Sequence, residues 1–213
     1  GLAAAAWGAT PLQEKVRAWR VAEESRLIDE YREFLAIPNM TVDRANIRRN
    51  ADFIVAMMQR RGIEARLLTV ASPTANPVIY GEVKVPGATR TLMLYAHYDG
   101  QPVNPAQWAP GWEPFAPKFV TAPVEQGGKV VEDWKSGDRV DPSWRLTGRG
   151  SADDKAGVMA LLNAYSALGA SGAAPTANLK FFFDGEEELG SPNLREMIAA
   201  LNEVARTGGR TLA

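Results

Sequence analysis

The chain has 213 residues, 46% of them hydrophobic and 23% charged, proportions that supply a core and exclude a disordered polypeptide. Its 24 basic and 25 acidic residues leave a net charge of −1, and the basic ones are scattered, so a nucleic-acid surface is not expected. Cys is absent and His97 is the single histidine; disulfides and thiolate sites are excluded, and any metal must rest on O and N ligands.

In chain order, residues 1–11 open with the small, uncharged stretch GLAAAAWGA. It reads either as the remnant of a secretory signal, with Ala6 and Gly8 in small-x-small spacing, or as an Ala-rich leader. The first reading places the protein outside the cell or in the periplasm, and the second leaves a cytoplasmic location open. No apolar run approaches the ~20 residues of a membrane span, so no membrane partner is expected.

From Leu12 to Ile37 apolar residues recur at helical spacing until Pro38 stops them, and a second helical pattern runs from Asp43 to Gly62. Strands are expected at 65–70, 77–85 and 91–96. The last of these, Leu92-Met93-Leu94-Tyr95-Ala96, is continuously apolar, which suits a buried central strand. Residues 100–145 hold four of the six Trp and little periodicity, a long ordered excursion of the kind that often carries function. A helix over 154–168, a buried strand over 178–183 and a last helix capped by Ser191 with Pro192 at its first position complete the pattern. Helices alternating with apolar strands predict an α/β fold with a central, mostly parallel mixed sheet and helices on both faces. In such sheets, ligands collect beyond the C-terminal strand ends.

Three polar clusters fall at such places. His97-Tyr98-Asp99-Gly100-Gln101-Pro102 follows the third strand, and Asp99 is near enough to orient a ligating imidazole. Gly148-Arg149-Gly150-Ser151-Ala152-Asp153-Asp154-Lys155 runs into a helix; its adjacent carboxylates repel, and either Lys155 or a metal would steady them. Asp184-Gly185-Glu186-Glu187-Glu188-Leu189-Gly190-Ser191 follows Phe181-Phe182-Phe183, which anchors the acidic run at a core strand rather than on an open face. Taken singly, each has an ordinary explanation: a structural histidine, a helix N-terminus, a solvated acidic run. Together they supply one imidazole and several carboxylates, the ligands of a hydrolytic metal site. A Mg²⁺ phosphohydrolase is disfavoured, because no Gly-rich loop with Lys and Ser/Thr is present to cradle phosphate.

In order and spacing these clusters resemble the three successive signatures of the co-catalytic dizinc metallopeptidases that include carnosine dipeptidases, glutamate carboxypeptidase, aminoacylases and acetylornithine deacetylase. The resemblance covers roughly residues 20–205, and Trp112-Glu113-Pro114-Phe115 is similar to the dipeptidase branch. It implies that His97 and Glu188 each bind one metal, that Asp153 bridges two, that Glu187 is the general base and that Asp99 orients His97. Gly190 and Ser191 set this register, leaving Glu186 a bystander. The implied cofactor is Zn²⁺, two ions per complete site, with Co²⁺ or Mn²⁺ as substitutes. The implied reaction cleaves the amide bond of dipeptides, small peptides or N-acyl amino acids through a metal-bridged water.

Two departures stand out. Ala156 occupies a position where the family usually has Gly. A further acidic ligand, a second ligand His and the lid domain that carries substrate contacts and homodimer contacts in the family have no counterpart here, so residues 12–213 are expected to form the N-terminal part of a catalytic domain truncated before the lid. The competing expectation is an inactive fragment or remnant that serves only as a binding or interaction module.

Overall fold

Thr10 starts the first helix, α1 (Pro11–Ala36): its side chain accepts from Gln13 N–H while the Gln13 side chain accepts from Thr10 N–H, a reciprocal cap that satisfies two otherwise orphaned donors. The computed structural model describes residues 9–206. The expected leader therefore lies outside the described residues as far as Gly8, and Pro11 is already helical. The remaining elements are α2 (Arg44–Arg60), β1 (Glu64–Leu68), β2 (Val78–Val83), β3 (Thr91–His97), β4 (Lys118–Val120), β5 (Arg145–Thr147), α3 (Lys155–Ala170), β6 (Asn178–Asp184) and α4 (Leu194–Arg206).

The sheet is mixed, in the order β1-β2-β6-β3, and helices cover both faces as expected. On one face Phe34 of α1, Ile47, Ile54 and Met58 of α2, and Val158 and Leu162 of α3 close over Ile79, Phe181 and Phe183. On the other, Met197 and Leu201 of α4 cover Leu68, Val78, Tyr80 and Phe182. The parallel share is one pairing of three, β3 with β6, smaller than the expected majority. The link from β1 to β2 has no crossover helix, so those strands run antiparallel.

Two expectations change. β3 was expected at the centre of the sheet but forms the edge among the described strands, with Leu92, Met93 and Tyr95 exposed by 51%, 48% and 50%; only its C-terminal end, Ala96 and His97, is buried. A groove of about 750 Å³ lined by Leu92, Leu94, Leu161, Tyr165 and Leu179 runs along this flank. The last helix begins at Leu194 rather than at Pro192, because Ser191 takes a left-handed φ of 48° and its hydroxyl donates to Asp184 Oδ2 at 2.5 Å instead of capping.

The Trp-rich excursion folds back on α1. Gly137 N–H donates to Ser25 Oγ at 2.7 Å and Ser136 Oγ to Asp29. The Arg32 guanidinium sits 4.9 Å from the Trp134 ring centre, and Phe119 packs against Trp134 and Trp144. No helix among the described residues is long and apolar enough to cross a membrane.

Candidate active site

The parallel register of β3 and β6 sets His97 opposite Asp184, so two of the three clusters leave the sheet at the same C-terminal edge. The third arrives with α3. Asp154 caps that helix by accepting Gly157 N–H at 3.1 Å, and its second oxygen accepts His97 N–H at 3.3 Å. A Cβ at Gly157 would lie 2.2 Å from Asp154 Oδ1, so glycine there makes room for the cap. Asp153, the residue before this cap, meets the imidazole, with 2.9 Å between Asp153 Oδ1 and His97 Nε2.

The acidic turn closes the site. Glu187 Oε2 lies 3.7 Å from His97 Nε2, and one ligand atom each of His97, Asp153 and Glu188 lie within 4.8 Å of one another. The structure thus brings together all five sequence-derived candidates, with Asp99 behind the imidazole: its Oδ1 stands 3.4 Å from His97 Nδ1, which makes no other polar contact. Asp99 is fully buried and accepts three hydrogen bonds, from Thr41 Oγ1 at 2.8 Å, Glu187 N–H at 3.2 Å and Glu188 N–H at 3.1 Å.

These carboxylates govern the imidazole. Burial alone would lower its pKa, but Asp99, Glu187 and Asp154 outweigh burial and raise it to about 9, so without metal the ring is a cation at neutral pH. Burial holds the Asp184 carboxyl above its ordinary range, against the opposing pull of its Ser191 hydrogen bond. Asp153 and Glu187 remain open to solvent, with side chains 75% and 45% exposed, so an ion or a small molecule can reach them.

Two roles differ from expectation. Lys155 does not neutralise the Asp pair: it is fully buried, its Nζ donates to the α1 carbonyl of Phe34 at 2.6 Å and to the C-cap carbonyl of Ile37 at 2.7 Å, and burial drives its pKa well below the ordinary value. Glu186 stays outside the converging group, yet it has a structural part. It is buried and accepts from Asn76 N–H at 2.7 Å and from the Asn193 backbone and side chain at 3.3 and 2.9 Å. Gln101, within the first cluster, donates from Nε2 to Glu188 Oε2 at 2.6 Å, a partner the sequence did not indicate; Thr41 and Asn76 carried no sequence signal, because their partners lie 35 to 110 positions away.

The donor set fits a divalent cation. One imidazole and several carboxylates converge with no Lys or Arg paired to them among the described residues, and such a concentration of negative charge is relieved by a cation.

Residues 93–209, more than half of the chain, match the family model described as peptidase family M20/M25/M40. A Cys-Gly metallodipeptidase of Schizosaccharomyces pombe is 28% identical over 178 residues, 78% of this chain and 32% of the relative. The human Beta-Ala-His dipeptidase is 33% identical over 122 residues, 57% of this chain and 20% of the relative. The crystal structure of human carnosine dipeptidase 1 superposes with a TM-score of 0.67 at 26% identity, covering 89% of this chain and 38% of that one. The chain therefore spans about a third or less of the curated relatives it matches.

Proposed function

This chain belongs to peptidase family M20/M25/M40, and from that premise we propose that it carries the metal-binding part of an active site that hydrolyses amide bonds in dipeptides, small peptides or N-acyl amino acids. The observation that carries this reading is the meeting of His97, Asp153 and Glu188 within 4.8 Å, with the Glu187 carboxylate beside them. Its kinship with metallodipeptidases favours a dipeptide substrate over a longer one.

His97, Asp153 and Glu188 would hold the metal, Asp153 between two ions in a complete site and Zn²⁺ foremost, with Co²⁺ or Mn²⁺ able to replace it. When bound, the metal supplies Lewis acidity toward the scissile carbonyl and toward water. Glu187, exposed and paired with no Lys or Arg among the described residues, takes the proton from the attacking water and returns it to the departing amine. Asp99 keeps His97 Nδ1 facing a carboxylate, which leaves Nε2 directed at the metal position.

On this reading the 213-residue chain alone turns over poorly. One ion would keep only His97 and Asp153, the other only Asp153 and Glu188, fewer than the three protein ligands of an open catalytic zinc site. The test is amine release from Cys-Gly and β-Ala-His with zinc, cobalt or manganese added, on this chain and on the longest reading frame that contains it. Metal-dependent release by the longer product, abolished in Glu187→Gln, supports the proposal. Release that ignores both metal and Glu187 overturns it, and robust turnover by the 213-residue chain overturns the expectation of poor turnover. A secretory origin is also proposed from residues 1–11, testable by mapping the mature N-terminus.

A further inference from the structure

Asn76 belongs to none of the three motifs, yet it is buried at the centre of a polar ring behind the acidic turn. Its Nδ2 donates to Thr41 O and to Gly185 O, each at 2.9 Å, and its backbone N–H donates to Glu186 Oε1 at 2.7 Å. Thr41 passes the connection on, its hydroxyl donating to Asp99 Oδ2 at 2.8 Å. Asp99 accepts the N–H groups of Glu187 and Glu188, which are joined to Glu186 by the chain itself. The circuit Asp99, Thr41, Asn76, Glu186, Glu187–Glu188 is therefore closed, and Thr41, Asn76, Glu186 and Asp99 are all buried.

A closed, satisfied polar network in a low-dielectric interior is rigid, because opening any link strands a buried donor or acceptor. Resting on the metal-site reading above, we propose that Asn76 is a positioning residue for Glu187 and Glu188: it fixes the turn that presents both carboxylates while touching neither the metal position nor substrate. The side chain is specific to the task. Two N–H donors on one short planar group reach the carbonyls of Thr41 and Gly185 together, which Ala, Ser or Asp cannot reproduce.

The test compares Asn76→Ala with Asn50→Ala in the full 213-residue chain. Asn50 is an equally buried amide that donates to Pro38 O and Asn46 O and has no link to the acidic turn, so it controls for general loss of stability. Two quantities are read: affinity for Co²⁺ by absorption titration, and hydrogen exchange of the Glu187 and Glu188 amides without metal. Asn76→Ala is expected to weaken Co²⁺ binding by about tenfold or more, the usual scale for an outer partner of a ligand, and to speed exchange at both amides by at least a similar factor. Asn50→Ala should do neither. If the two variants behave alike in both readouts, the proposal is overturned. If the unmutated chain binds no Co²⁺, the metal reading fails and amide exchange alone decides the positioning role. Should Asn76→Ala not fold, Thr41→Val, which keeps the Thr41 carbonyl but removes the hydroxyl bond to Asp99, is read by the same two measurements and must show the same pattern.

Discussion

Asp99 and Glu187 are joined through the backbone: the Glu187 N–H donates to Asp99 Oδ1 at 3.2 Å, the same oxygen that faces His97 Nδ1 at 3.4 Å. One buried carboxylate thus sets the imidazole on β3 and the acidic turn after β6 in a common frame. Its role is wider than orienting a histidine, and each consequence can be measured.

Asp99→Asn keeps the shape but replaces one acceptor oxygen with an NH₂ group, which cannot accept the bonds now shared among Thr41, Glu187 and Glu188. Metal affinity should fall by about 10–100-fold, with a lower melting temperature in the metal-free protein, because a buried donor is left unpaired. Calorimetric titration and thermal unfolding check both; affinity equal to the unmutated chain would contradict the shared-frame role.

Metal binding should strengthen with pH. The metal-free His97 pKa is raised from 6.5 to about 9, and a metal takes the neutral ring, so below about pH 9 each ion bound to His97 must displace a proton. Affinity then rises by up to roughly tenfold per pH unit between 7 and 9. In the metal-free protein the sign reverses: the charged ring's contribution to stability is complete below about 6.5 and is lost as pH rises through about 9. Titration in buffers of different ionisation enthalpy reads the released proton, and pH-independent binding would exclude His97 as a ligand.

Two glycines should respond oppositely to alanine. A Cβ at Gly185, just before the acidic turn, would lie 2.5 Å from the buried Tyr98 hydroxyl and 2.9 Å from Pro77 O, so Gly185→Ala should cost about 1–3 kcal/mol through forced displacement. At Gly169, in the last turn of α3, a Cβ would meet nothing within 4 Å beyond its chain neighbours and its own helix backbone, and Gly169→Ala should stabilise by up to about 0.5–1 kcal/mol through helix propensity. Chemical denaturation gives both values.

Much of this arrangement is legible in the sequence because it rests on periodicity and on strand ends. Phe181-Phe182-Phe183 marks a buried strand, and the acidic run after it has to emerge at the sheet edge. The misplacement of β3 has the same physical origin: Leu92 to Ala96 carries the apolar signature of a strand covered on both faces, and that signature reports what the strand needs rather than where it lies in 213 residues. Ser191 reads as a helix cap by residue type, but a tertiary acceptor, Asp184, claims its hydroxyl. Lys155 reads as a counter-ion by adjacency, whereas the carbonyls of Phe34 and Ile37 at the end of α1 take its ammonium instead of its neighbours in sequence. Thr41 and Asn76 are ordinary polar residues in loops, and only folding shows that their partners are Asp99 and Glu186.

That the three clusters form one metal site is tested by Zn²⁺ titration calorimetry on the 213-residue chain and its single variants at His97, Asp153, Glu187 and Glu188. The last two lie on the same turn, but only Glu188 joins His97 and Asp153 in the converging group. Glu188→Gln, like His97→Ala and Asp153→Asn, should reduce Zn²⁺ affinity by at least about tenfold, whereas Glu187→Gln should leave it within a few-fold if, as proposed, its carboxylate is the base rather than a ligand. Zn²⁺ binding indifferent to His97, Asp153 and Glu188, or lost equally in Glu187→Gln, would contradict the claim.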